Sequence, residues 1–102
     1  MKGLTIKYGD YGYYITFYVK NADGTAKDLT DYTVTFKVWD KDENLILSKE
    51  CEIVDAVNGV CRVLLGYGDL DKAGIFFGEL ELSKTDVLEQ TETFKIIIEV
   101  SL

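Results

Sequence analysis

The residues with the clearest potential for chemistry are five consecutive polar positions, Asp40-Lys41-Asp42-Glu43-Asn44, near the middle of the chain. They match the opening of a calcium-binding loop, in which alternate side chains direct oxygen atoms towards one ion. The match stops there, because such a loop has Gly at its sixth position and a bidentate Glu at its twelfth, where this chain has Leu45 and Cys51. We therefore interpret the segment as a solvated hairpin turn and expect no bound metal.

Two further patterns partly match known chemistry. Gly66-Tyr67-Gly68 lacks the Gly-Lys-Ser/Thr that a phosphate-binding loop uses for its contacts, and Asp69 after it is predicted to cap one helical turn that Gly74 ends. Glu79 and Glu81 have the chemistry of an acid–base pair, but alternate positions of an extended segment belong to its solvated face. The chain also contains no His, the usual general base and a common metal ligand. We expect no enzymatic activity and no cofactor.

Cys51 and Cys61 are the only cysteines. They flank Asn58-Gly59, the strongest short signal for a β-hairpin turn. With a two-residue turn Cys51 points to the opposite face from Cys61, and with a three-residue loop it lies about 13 Å away along the strand. A disulfide requires Cα atoms within about 7 Å. We therefore predict two reduced thiols packed in the core.

The composition is that of a small globular protein. The chain has 102 residues, 47% hydrophobic and 28% charged, with a formal net charge of −7 and a single arginine, Arg62. This acidic balance argues against a nucleic acid partner, because phosphate neutralisation needs clustered Lys and Arg. The N-terminus has no apolar run long enough for a signal peptide, and no segment approaches the ~20 residues of a membrane span. We expect one domain over residues 1–102, made in the cytosol and not inserted in a membrane.

Alternating hydrophobic residues run through most of the chain and predict strands with one buried and one solvated face. The clearest alternation lies between Thr33 and Trp39, where Val34, Phe36 and Val38 alternate with polar residues. Further strands are predicted at residues 4–8, 13–20, 45–48, 50–55, 60–65, 76–82 and 94–100, with a polar turn over residues 83–90. No segment has a helical period. Seven to eight short strands of this kind indicate an all-β, immunoglobulin-like antiparallel β-sandwich.

The inward positions of these strands form the predicted core. Its members are Ile15, Phe17, Val34, Phe36, Leu64, Leu80, Phe94, Ile96 and Ile98. Leu29, the one apolar residue of a polar crossing segment, is predicted to plug one end of this core.

Several large apolar residues fall on the outward side of otherwise clean alternations. Brought together by a fold, three or more such residues mark an interface, so we predict a protein-contact surface formed by Tyr14, Tyr18, Trp39, Phe77 and Ile97. Five tyrosines also crowd residues 8–18, and the pattern favours about half of them being core residues. Exposed tyrosines can also stack on sugars. A sugar-binding or adhesin-like domain that recognises a cell-surface glycan is therefore the alternative function.

The order of short motifs along the chain resembles that of a known family. These motifs are Asp23-Gly24, Asp28-Leu29-Thr30, Tyr32-Thr33-Val34-x-Phe36, Ile53-x-Asp55 with Gly59-Val60, Gly74 followed by aromatics, and Thr93-Phe94. Over nearly the whole chain this order is similar to the N-terminal domain of phage baseplate upper proteins.

The resemblance implies an immunoglobulin-like structural module of a siphophage-type tail, from a phage or prophage, that anchors the receptor-binding apparatus to the baseplate. The partners it implies are other tail and baseplate proteins and copies of the chain itself. It places the protein in the virion after synthesis in the bacterial cytoplasm, and it implies no catalytic residues.

Overall fold

The computed structural model describes residues 3–100, and that range contains nine strands in two sheets packed against each other. The strands are β1 (Leu4–Lys7), β2 (Tyr13–Tyr18), β3 (Thr33–Trp39), β4 (Leu45–Glu50), β5 (Glu52–Asp55), β6 (Val60–Leu65), β7 (Gly74–Lys84), β8 (Val87–Gln90) and β9 (Phe94–Glu99). The large sheet has the order β1-β9-β7-β3-β4, with β8 also paired to β7, and the small sheet has the order β2-β6-β5. The predicted all-β class with two packed sheets is thereby confirmed.

Strand β7 organises the large sheet because it is long enough to pair with three others. One edge pairs with β3, from Trp39↔Phe77 to Thr33↔Ser83. The other edge pairs with β9 near the start of β7 and with β8 near its end. These pairs are antiparallel as predicted, but β1 joins β9 in parallel.

The polar turn predicted over residues 83–90 is wrong, because this segment contains strand β8. Lys84 pairs with Val87, so the chain reverses within Thr85 and Asp86. Asp86 has a φ of 60°, in the left-handed region that such tight turns require. The strand was missed because only Val87 and Leu88 within it are apolar.

Cys51 marks the point at which the chain crosses from one sheet to the other. Strand β4 ends in the large sheet one residue before it, and β5 begins in the small sheet one residue after it. The Cys51 N–H donates to the Val34 carbonyl at 2.8 Å, which ties the crossing to the central strand. The predicted Asn58-Gly59 hairpin then joins β5 to β6, with a register shift between Ile53 and Asp55.

The sequence-predicted core is confirmed at eight of its nine positions, each of which is buried. Leu64 is the exception and is 43% exposed. In β6 the inward positions are Cys61, Val63 and Leu65, so the two-residue period directs Leu64 outwards, where it pairs with Tyr14. Leu29 is completely buried, as predicted.

Three phenylalanines join the two sheets at the centre of the core. The ring of Phe17, from the small sheet, lies 5.2 Å from that of Phe36 and 6.0 Å from that of Phe94, centroid to centroid. Phe36 and Phe94, from the large sheet, stack on each other. Tilted and stacked rings at these distances are favourable aromatic contacts.

Candidate protein-contact surfaces

The five sequence-predicted contact residues lie on two opposite faces of the sandwich. Tyr14 and Tyr18 belong to β2 and face outwards from the small sheet. Trp39, Phe77 and Ile97 belong to β3, β7 and β9 and face outwards from the large sheet. The fold thus gathers three of the five into one region and separates them from the other two by the thickness of the core.

On the large sheet, five apolar side chains form one continuous row across four neighbouring strands. Leu45 pairs with Trp39, Trp39 pairs with Phe77, and Ile75 pairs with Ile97. Phe77 and Ile75 lie two positions apart on β7 and therefore share a face. We call these residues, Trp39, Leu45, Ile75, Phe77 and Ile97, the outer patch.

The outer patch is accessible although it lies on the central strands of the sheet. Leu45 is 52% exposed and Ile75 is 48% exposed, whereas Trp39 and Phe77 are half-buried. Leu45 and Ile75 were missed in the sequence. Ile75 could have been predicted, because it lies two positions before Phe77 in the same outward alternation. Leu45 could not, because it faces outwards only through the register shift of β4 beside Trp39.

Charged residues border the outer patch at one end. A groove of about 360 Å³ runs over Trp39 and Phe77 and is bordered by Asp40, Lys41 and Glu79 among others. The Thr93 hydroxyl donates to Glu79 at 2.7 Å and holds that carboxylate at the border. An apolar centre with a polar rim is the usual composition of a protein interface.

The opposite face, on the small sheet, mixes apolar and charged side chains. Tyr14 pairs with Leu64, and the Arg62 guanidinium lies 3.9 Å from the Tyr14 ring centroid. Arg62 also donates through Nε to Glu52 at 2.6 Å. Arg62 thus contacts an aromatic ring and pairs with a carboxylate, so this face carries charge among its apolar residues.

The prediction that about half of the first-strand tyrosines are core residues is wrong. Tyr8, Tyr11, Tyr13, Tyr14 and Tyr18 are all exposed. The inward positions of β2 and its continuation are filled by Ile15, Phe17 and Val19, which leaves the tyrosines the outward positions and the loops.

The calcium-like segment is a turn stabilised by its own first carboxylate. Asp40 accepts hydrogen bonds from the backbone N–H groups of Asp42 and Asn44, both at 2.9 Å. The hydrogen bond from the Asn44 N–H is the main reason that the pKa of Asp40 lies below its ordinary value. This confirms the predicted solvated turn. Within residues 3–100, no three His, Cys, Asp or Glu side chains are grouped to hold a metal ion.

The other acidic candidates are also used within the fold. Asp69 does not cap a helix, and the predicted helical turn is wrong. Its carboxylate accepts from the Gly66 N–H and from Lys49 Nζ, both at 2.7 Å, and so closes a tight loop. Glu81 forms an ion pair with Lys37 at 2.6 Å.

Cys51 and Cys61 are both free and buried, as predicted. The separation inferred for them is wrong, however. The register shift in β5 pairs Ile53 with Cys61, which leaves Cys51 only two residues from that pair. The thiols contact each other, and this contact and burial raise the pKa of the Cys51 thiol.

Comparisons with known proteins agree with this architecture. The chain is similar to the N-terminal domain of ORF48 of phage TP901-1, with a TM-score of 0.71 and 17% sequence identity over 94% of this chain and 83% of that one. It is also similar to CopC from Methylosinus trichosporium OB3b, with a TM-score of 0.57 and 6% identity over 97% and 87% of the two chains. At these identities the two likenesses establish the fold alone.

Among curated proteins, none matches the chain. Residues 3–100 contain no helix long and apolar enough to cross a membrane.

One family matches by sequence over residues 3–102, and its description is the BppU N-terminal domain. The chain therefore belongs to the BppU N-terminal domain family and is a structural domain of the phage tail baseplate.

Proposed function

We propose that this domain is a non-catalytic assembly module that anchors the receptor-binding apparatus of a phage or prophage tail to its baseplate through protein–protein contacts. The domain would then be located in the tail of the virion. We also propose that the fold is immunoglobulin-like, which is supported by the two facing sheets and by the repeated crossing of the chain between them.

The observation that carries the proposal is the outer patch. Its five side chains are continuous through the pairs Trp39↔Phe77 and Ile75↔Ile97 and the neighbouring Leu45. Soluble domains rarely expose a contiguous apolar surface beyond a few hundred Å², and such a surface usually marks an interface. Trp and Phe are among the residues enriched in interfaces, and Trp is among those that dominate binding energy.

The patch lies on strands whose backbone groups already pair on both edges, except for the edge strand β4. A partner therefore contacts it through side chains and does not extend the sheet there. The chain carries a net charge of −7, which disfavours nucleic acid as that partner. The comparisons support a structural tail role and do not favour the glycan-binding alternative. A neighbouring baseplate protein is the partner that fits.

The proposal includes no catalytic role. Asp40 is used in capping its turn, and Asp69 and Glu81 are paired with lysines. These acidic groups therefore have structural partners, and their contacts account for their positions without a reaction.

The experiment measures binding to the baseplate proteins encoded by the neighbouring phage genes, each purified and tested by sedimentation velocity. The patch variant carries Trp39→Ala and Phe77→Ala. The control carries Tyr14→Ala and Tyr18→Ala, which removes two aromatic rings from the opposite face. Each central aromatic anchor is worth on the order of 2 kcal/mol, or roughly 30-fold in affinity. We expect the patch variant to lose binding and the control to retain it.

Because Trp39 and Phe77 are half-buried, circular dichroism and thermal unfolding must first show that the patch variant is folded. Ile75→Lys provides a second variant at an exposed position of the same patch. Unchanged binding of folded patch variants to every neighbour would overturn the assignment of this surface.

A further inference from the structure

Within residues 3–100, the outer edge of strand β2 has no strand beside it. In the small sheet β2 pairs with β6. The Val19 N–H donates to the Gly59 carbonyl at 2.8 Å, and the same register continues through Phe17↔Cys61 and Ile15↔Val63. Backbone groups of successive residues point to opposite edges of a strand. The N–H and C=O groups of Tyr14, Thr16 and Tyr18 therefore point away from β6, and within residues 3–100 no other strand pairs with them.

This edge also lacks the residues that normally prevent strand addition. The sequence of β2, YYITFY, contains no charge, proline or glycine. The edge strands β1, β4 and β5 each carry charged residues, as in LTIK, LILSKE and EIVD. Proteins use charge and proline to keep exposed edges from pairing, and β-branched and aromatic residues are those that pair most readily. Among these edges, β2 is the one suited to accept another strand.

There is room beside β2 for that strand. A groove of about 440 Å³ runs along the edge, between β2 and the start of β1. Thr16 and Tyr18 line one side, Gly3 and Leu4 line the other, and Phe94 is among the residues lining it.

We propose that a second copy of the chain binds this edge through its own β2, antiparallel to the first and related to it by a two-fold axis at Thr16. This register uses all the free backbone positions, because Tyr14 then pairs with Tyr18 of the second copy and Thr16 pairs with its equivalent. A symmetric contact of this kind closes on itself as a dimer. Two small sheets then become one continuous sheet.

The chemistry of the edge favours a copy of itself over an unrelated strand. Each copy carries a net charge of −7, yet this register opposes no like charges within β2. On the outer face it places Tyr14 beside Tyr18 of the second copy on both sides of the axis, and aromatic cross-strand pairs are favourable.

The charges at the ends of β2 are complementary in the same register. Lys20 comes opposite Gly12 of the second copy, two residues from Asp10. Asp10 lies three residues before the first residue of β2, and burial together with the Asp10 carboxylate raises the pKa of Tyr13. A lysine at one end thus faces the acidic end of the other copy, twice in the dimer.

The first test is sedimentation equilibrium of the whole chain over a wide concentration range. We expect the average mass to rise from 11.5 kDa to twice that value. Thr16→Lys places two like charges at the two-fold axis, and Thr16 is exposed, so this variant is expected to fold and to remain monomeric. Ser48→Lys adds the same charge to the exposed face of the edge strand β4 and is expected to associate like the native chain.

The second test places a cysteine on the axis. In Thr16→Cys the paired positions lie about 5.5 Å apart between Cα atoms, a distance that a disulfide can span. We expect a covalent dimer after mild oxidation by a disulfide reagent, and none for Thr5→Cys on β1. A native chain that stays monomeric at every concentration would overturn the proposal, and so would equal association of Thr16→Lys or the absence of a Thr16→Cys dimer.

This contact is separate from the outer patch, which lies on the other sheet. If both proposals hold, the variant with Trp39→Ala and Phe77→Ala loses binding to the partner protein but still self-associates. The two can therefore fail independently.

Discussion

Gly78 lies directly against the ring of Phe94: a Cβ atom at Gly78 would be 2.7 Å from Cε2 and 2.8 Å from Cζ of that ring. The two residues are paired between β7 and β9. The ring stacks in turn on Phe36, with 7° between the ring planes and 6.3 Å between centroids. The missing side chain at Gly78 therefore provides the space in which the central aromatic contact of the core forms.

Gly78→Ala is expected to destabilise the protein by about 1–3 kcal/mol, because the core has no room for the added methyl group. Urea unfolding followed by circular dichroism measures the change. The matched test is a double-mutant cycle with Phe94→Leu, in which the smaller side chain should relieve part of the cost of Gly78→Ala. Fully additive effects would contradict the proposed conflict between the methyl group and the ring.

Gly59 and Gly68 have similar backbone conformations in different surroundings. Their φ angles are 72° and 78°, but a Cβ at Gly59 would lie 2.6 Å from the Val19 carbonyl oxygen, whereas a Cβ at Gly68 would meet nothing within 4 Å. Gly68→Ala is therefore expected to cost about 1–2 kcal/mol, from backbone strain alone. Gly59→Ala is expected to cost clearly more, because rigid backbone must also move. Equal losses of unfolding free energy in the two variants would refute this comparison.

Cys51 makes stability depend on alkaline pH. Its contact with Cys61 and its burial raise the pKa of the folded thiol, whereas the unfolded thiol ionises near its ordinary value of about 8.5. The contribution of the Cys51 thiol to the free energy of unfolding is therefore complete below that pH. Above it the unfolded chain loses a proton that the folded chain keeps, so the free energy of unfolding falls as pH rises, by up to ~1.4 kcal/mol per unit.

Unfolding measured from pH 7.5 to 9, where tyrosine with its ordinary pKa of about 10 stays mostly protonated, checks this slope. Cys51→Ala is expected to flatten it. Val63→Ala, at another buried position of the small sheet, should lower stability and keep the slope. If Cys51→Ala leaves the slope unchanged, groups other than Cys51 cause the pH dependence of the free energy of unfolding.

Asp69 makes stability depend on acidic pH in the opposite sense. Burial opposes its ionisation, but hydrogen bonds from Lys49 and the Gly66 N–H lower its pKa below the ordinary value. Its contribution is therefore present above pH 4 and is lost as pH falls below that. At pH 7, Asp69→Asn is expected to cost about 1 kcal/mol, a difference that narrows by pH 3. Asp71→Asn, exposed on the same loop, serves as the control. A cost that is equal at both pH values would show that the carboxylate charge is not responsible.

The sequence by itself determined which side of most strands is buried, because the two-residue period is a local property of extended backbone. Val34, Phe36, Leu80, Phe94 and Ile96 are inward for this reason, and each is buried. Local sequence also predicted the hairpin at Asn58-Gly59 and the turn in the acidic segment after Trp39, because turn formation depends mainly on the residues within the turn. The order of short motifs also identified the family.

Tertiary structure alone decided which sheet each strand joins. An outward residue is outward in either sheet, so alternation cannot tell that Tyr14 and Tyr18 lie on one face of the sandwich and Trp39, Phe77 and Ile97 on the other. That assignment depends on pairing between strands far apart in sequence, such as β3 with β7. Register shifts act in the same way. One beside Trp39 turns Leu45 outwards, and one in β5 brings Cys51 to Cys61, because an extra residue moves every later side chain relative to the partner strand.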